Sequence, residues 1–180
     1  SNDQSVEYAS KSLRVSINSY ISFLNDPNLK NATEMSIAAN LAGKAINISK
    51  TTAPHATSYP FTALFNISHG HAVSLFFENF FKFNYTNLDK SETSFDLGKR
   101  FDLIFNLFNV TNIGDFNSKI SLIKQKAKLE NNLIKLNIDL EKNSESIMNG
   151  INLLRLGNNP IKINDKDIYN IISDVDKITV

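Results

Sequence analysis

The 180-residue sequence contains no cysteine, only six glycines and four prolines, and three arginines, Arg14, Arg100 and Arg155. Without cysteine there is no disulfide framework, no Cys-ligated zinc and no thiolate nucleophile. With so few chain-breaking residues, few places are built for tight turns, and helices are favoured. No apolar run approaches the ~20 residues that span a bilayer, so no membrane partner is expected. There is no basic tract either: 19 Lys and Arg stand against 18 Asp and Glu, a net charge of +1, which gives no electrostatic footprint for nucleic acid. No signal peptide is read at the start, and Ser1-Asn2 reads as an expression scar. A soluble, cytoplasmic protein is expected. The chain is 42% hydrophobic and 21% charged, ordinary globular usage for one domain, or one domain with a small annex.

Apolar residues recur at helical spacing from Gln4 to Leu24. After the Asn25-Asp26-Pro27-Asn28 stop, a second helix is predicted from Ala32 to Ser49. Its small, apolar centre, Ile37 to Gly43, predicts burial on more than one face. Pro54 begins a third helix, which Pro60 is expected to interrupt near the middle. Ser68 is placed as the N-cap of a fourth, running to about Phe83 with Phe76, Phe77, Phe80 and Phe81 on its apolar face. Further helices are predicted near 95–108, 115–127, 143–155 and 164–173, the last two starting at Ser144 and Asp165. The lysines at 119, 124, 126 and 128 read as a solvated face. Nothing alternates with period two, and no glycine-rich phosphate loop follows a strand. The fold class expected is all-α, a multi-helix bundle, with a core over residues 1–112 and a helical tail of the same domain over 113–180.

All three histidines, His55, His69 and His71, fall in one stretch. Chance clustering and a metal site are both open readings. On one unbroken helix His55 and His69 would lie about 21 Å apart, too far to share an ion whose ligating nitrogens sit ~2.1 Å away. A shared ion therefore requires the chain to turn back, and Pro60 and Asn66-Ile67-Ser68 supply breaks between them. His71 would point about 200° around the helix from His69, so it is not expected to bind the same ion.

The run Asn40-Leu-Ala-Gly-Lys-Ala-Ile46, then Ala53-Pro-His-Ala56, then Ser68-His-Gly-His-Ala-Val73, resembles the iron-containing (group III) alcohol dehydrogenases. Phe81-Lys-Phe-Asn84 fits the segment after that motif, and Asn158-Asn159-Pro160 matches more loosely. The superfamily, with glycerol dehydrogenases and dehydroquinate synthases, shares a helical, metal-bearing C-terminal domain. The resemblance implies that fold here, with His55 and His69 as metal ligands. It also implies that an N-terminal dinucleotide-binding domain, and two upstream ligands (an aspartate and usually a histidine), are missing from this chain. Asp3 lies too near the start of the match to be that aspartate. Alone, the fragment is expected to be inactive. Where many relatives carry another histidine, this sequence has Tyr59, which could donate a hydrogen bond to substrate or pack against the Phe61–Phe65 wall.

By resemblance the full-length activity is NAD(P)-dependent hydride transfer between an alcohol and an aldehyde, with the metal as Lewis acid. Fe2+ is the family's usual ion and Zn2+ fits imidazole nearly as well; a homodimer is compatible with the family. The Lys50-Thr51-Thr52 run before Ala53-Pro54-His55 resembles the phosphonoacetaldehyde reductase-like branch. The substrate pocket implied takes in Lys50, Thr51, Thr52, Tyr59 and His71. A lysine and two hydroxyls there would hold an anionic tail; alternatively Thr51 and Thr52 cap the helix and Lys50 is solvated. Two rivals are a dehydroquinate synthase-like lyase, which would carry Glu where His71 stands, and a non-catalytic helical interaction module.

Overall fold

The computed structural model describes residues 1–175, so the end of the predicted 113–180 tail, 176–180, lies outside the described residues. Those residues form α-helices joined by loops, with one 3-10 turn, Leu88–Lys90, and no strand among them. None of these helices is long and apolar enough to cross a membrane. The fold is the all-α bundle expected. The chain separates into two compact units, each drawn from two stretches, and residue 112 falls inside the first of them.

The first unit comprises Ser1–Lys50 and Gly98–Lys128. Helix α1 (Asp3–Asn25) starts at Asn2, whose side chain accepts from the Ser5 N–H in a capping box, so this residue serves as a cap. Helix α2 (Leu29–Ser49) returns antiparallel along it. Their seam is small and partly polar: Ser5, Ser12 and Ser19 are buried on α1, and Ala38 and Ala45 on α2. The Ser12 hydroxyl donates to the Ala38 carbonyl at 2.8 Å, and Ser19 donates to Glu34. The two-faced burial predicted for α2 does not occur. Ile37 is 50% and Ile46 39% exposed, because the small residues that permit close approach to α1 occupy only one stripe.

In the same unit, α5 (Leu97–Phe108) and α6 (Ile113–Lys126) pack through aromatic rings, with Phe108 edge-on to Phe116 at 4.9 Å. Lys119 donates to the Phe108 and Asn109 carbonyls at the end of α5, and Lys124 is buried. Lys119 is nonetheless exposed, so of the four lysines expected in solvent Lys124 alone is buried, its long aliphatic stem allowing it.

The second unit comprises Thr51–Leu97 and the chain from Leu129 onward. It contains α3 (Ala53–Phe65), α4 (His69–Thr86), α7 (Leu140–Asn149), the short α8 (Leu153–Leu156) and α9 (Asp165–Ser173). Ala53, Ala56, Phe61, Ala72, Phe76 and Phe80 are fully buried, and Phe61 meets Phe76 at 4.5 Å between ring centres. Each such phenylalanine contributes on the order of 2–3 kcal/mol by leaving water. The predicted α7 start at Ser144 is corrected to Leu140, with Asp139 as the cap accepting from the Lys142 N–H. The predicted helix 143–155 is two helices, parted at Gly150 to Asn152.

Pro60 does not interrupt α3, which runs on to Phe65. Proline leaves the carbonyl four residues back, that of Ala56, without its helical donor. Here the Asn152 N–H donates to that carbonyl at 3.2 Å, so the orphaned acceptor is satisfied from the α7–α8 connection. The backbones meet closely, because a Cβ on Gly150 would lie 2.8 Å from the Pro60 Cβ.

Candidate metal centre

Two local features fix the ends of α3 and α4. Pro54 lies in the first turn of α3, where a missing N–H costs nothing. Asn66 takes the left-handed conformation (φ 54°) that ends α3, and Ile67 is buried, which anchors the turn back into α4. His69 is therefore the first residue of α4 and His55 lies in the first turn of α3. The return brings their rings to 5.6 Å between centres, tilted by 60°. Imidazole nitrogens ~2.1 Å from one shared tetrahedral ion set ring centres roughly 5 Å apart, so the observed approach suits a common ion.

The hydrogen bonds select a tautomer. The Ser58 hydroxyl donates its single proton to the His55 carbonyl at 2.8 Å and lies 3.3 Å from His69 Nδ1. With that proton committed, Ser58 accepts, so His69 Nδ1 carries the hydrogen and Nε2 keeps its lone pair. Such an outer hydrogen bond orients a ligating imidazole. Burial, with smaller effects from His69 and the Arg155 guanidinium, holds His55 below the ordinary imidazole range and favours its neutral, ligating form. Among the described residues no third His, Asp or Glu joins the pair. An ion here would need further ligands from other protein or from water.

The remaining predicted pocket residues are distributed as follows. Tyr59 is 37% exposed and stacks obliquely on His69 at 5.7 Å, so the histidine pair and this phenol form one cluster. His71 faces elsewhere, its Nε2 2.6 Å from the Glu130 carbonyl, which ties the start of α4 to the segment before α7. Thr52 occupies the N-cap position of α3 without a side-chain cap bond. Thr51 is buried: its hydroxyl accepts from Arg155 and its carbonyl from the Asn158 side chain. Asn159 in turn pairs with Asn84 of α4, so the Asn158-Asn159 strap bonds to the start of α3 and to α4. Lys50, in the first unit, is exposed and donates to the Asn47 carbonyl. Asp3 also belongs to the first unit, 3.8 Å from Arg100.

Sequence reasoning missed two members of the cluster. Ser58 lies three residues after His55, a helical neighbour that spacing could have exposed. Arg155 had no local signal beyond the scarcity of arginine.

The chain matches the family model described as the Fe-containing alcohol dehydrogenase family, C-terminal, over residues 2–175. Its fold is similar to sulfoacetaldehyde reductase from Bifidobacterium kashiwanohense, solved with NAD+ (TM-score 0.83, 20% identity, 99% of this chain and 45% of that one). It is also similar to an archaeal halo-thermophilic alcohol dehydrogenase from a Red Sea brine pool (TM-score 0.82, 17% identity, 95% and 44%). A 1,3-propanediol oxidoreductase aligns as well (TM-score 0.79, 20% identity, 97% and 46%). No curated protein matches. The chain thus spans less than half the length of these solved relatives. With the family match running through both units and both histidines, the chain belongs to the iron-containing alcohol dehydrogenase family and corresponds to its C-terminal region.

Proposed function

We propose that this chain is the metal-binding half of an NAD(P)-dependent alcohol dehydrogenase or aldehyde reductase, acting in the cytoplasm. The observation that carries the reading is the 5.6 Å approach of His55 and His69, with Ser58 setting the tautomer of the second ring. These two imidazoles would hold a divalent ion, Fe2+ or Zn2+, through one nitrogen each. When bound, the ion supplies Lewis acidity at the substrate oxygen. The dinucleotide-binding half that resemblance places upstream would supply the nicotinamide: aldehyde, NAD(P)H and a proton give alcohol and NAD(P)+.

This chain's own residues then orient and enclose. Ser58 keeps the His69 lone pair directed outward, burial keeps His55 neutral, and Tyr59 covers one side of the His69 ring. The Asn158 side chain holds the Thr51 carbonyl at the start of α3, the helix that carries His55. The test uses the protein translated from the complete reading frame that contains this chain. It should oxidise NADH or NADPH in the presence of an aldehyde, lose that turnover on chelation, and regain it with Fe2+ or Zn2+. Turnover indifferent to chelation, or none with any aldehyde in metal-loaded protein, would overturn the proposal.

A further inference from the structure

Arg155 stands out in the second unit because its charge has no counter-charge. Its Nη1 donates to the Thr51 hydroxyl, a neutral acceptor. Among the described residues no carboxylate lies within ion-pair distance of it. The side chain is half-buried, on the short α8 that packs on α3. A guanidinium withdrawn from water without an anion is costly, and its planar fork matches an oxyanion with two acceptor oxygens.

Its position gives that fork a use. Thr51, which Arg155 grips, lies just ahead of the first turn of α3, four residues before His55. The helix that carries the fork is tied down beside His55: the N–H of Asn152, which caps α8, donates to the Ala56 carbonyl at 3.2 Å. One Nη1 proton is engaged by Thr51, and the fork retains further donors. Anchored at one corner and free at the others, the group is preorganised, and an anion would lose little entropy in docking.

Resting on the dehydrogenase reading above, we propose that Arg155 is the specificity residue of this site, binding the negatively charged tail of a short aldehyde whose carbonyl lies at the His55–His69 pair. The ligand class is an aldehyde carrying a sulfonate, phosphonate or carboxylate a few atoms from its carbonyl. Thr51 is then a positioning residue that acts through Arg155.

The test compares sulfoacetaldehyde and succinate semialdehyde with propanal and butanal, using the full-length protein and its Arg155→Met and Arg155→Lys variants. Arg155→Met should raise KM for the anionic pair about 10- to 100-fold, the range expected for a charged hydrogen bond, and change kcat/KM for the neutral pair less than threefold. Arg155→Lys should recover part of the loss. In parallel, calorimetric titration with ethanesulfonate, which cannot be reduced, should show binding to the parent and none to Arg155→Met at equal folded content. Equal losses on charged and neutral aldehydes, or no ethanesulfonate binding by the parent, would overturn the assignment even if neutral aldehydes turn over. Ethanesulfonate binding that depends on Arg155 in a protein reducing no aldehyde would uphold the anion site and sink the dehydrogenase reading instead.

Discussion

Replacing Gly150 by alanine tests the close approach that lets α3 run through a proline. Gly150 has an ordinary φ of −82°, so conformational freedom is not why glycine is required there. Space is. The added Cβ would meet the Pro60 Cβ at 2.8 Å, the Pro60 Cα at 3.4 Å and the Ser146 carbonyl oxygen at 3.2 Å. Carbon atoms pack best about 3.5–4.0 Å apart, so the first contact is short by about 0.7 Å or more. The proline ring cannot rotate away, and the end of α7 or the middle of α3 must move. Overpacking of this kind costs about 1–3 kcal/mol. In a chain of this size that lowers the melting temperature by roughly 2–4 °C per kcal/mol. Displacement there also lengthens the Asn152 N–H bond to the Ala56 carbonyl, in the turn that follows His55.

Gly43 supplies the matched control. It lies inside α2 with nothing within 4 Å of an added Cβ, so Gly43→Ala should stabilise by about 0.5–1 kcal/mol through reduced unfolded-state entropy. Urea unfolding of the parent and both variants decides the matter. The same chemical change should give opposite signs. A Gly150→Ala protein as stable as the parent would refute the packing argument.

Two further predictions concern the histidine pair. Ser58→Ala removes the acceptor for His69 Nδ1–H, and should weaken metal affinity about 10-fold or more while nitrogen NMR shows the Nδ1–H tautomer losing its dominance; unchanged affinity would mean Ser58 only packs. His55 titrates below its unfolded value of about 6.5, so over the interval between the two the unfolded chain binds more protons. Stability of the metal-free protein should therefore fall as pH drops through 6.5 and level off below the folded value. His55→Asn should remove that part of the profile; a profile unaltered by the substitution would contradict it.

Much of the fold could be read from local pattern. Helical spacing with few breakers placed α1, α4 and α9 within a few residues of their observed limits. The turn at Asn66 between the two histidines was legible for the same reason. What escaped prediction depends on partners distant in sequence. Pro60 ends no helix because Asn152 supplies a donor for Ala56, and no window around Pro60 contains that residue. The exposure of Ile37 follows from α1 covering a single stripe of α2, which composition alone cannot reveal. Thr51 and Thr52 looked like ordinary caps, yet the Thr51 hydroxyl is committed to Arg155. Lys124 carried the pattern of a solvated lysine and is buried.

The central claim is that His55 and His69 together hold one divalent ion. The most direct test is metal content per chain in the full-length protein after growth with iron and with zinc, beside the His55→Ala and His69→Ala single variants. One ion per chain in the parent, and its loss in each variant with the helical fold intact, is the predicted result. Equal metal in parent and variants, or none in a folded parent supplied with either ion, would contradict it.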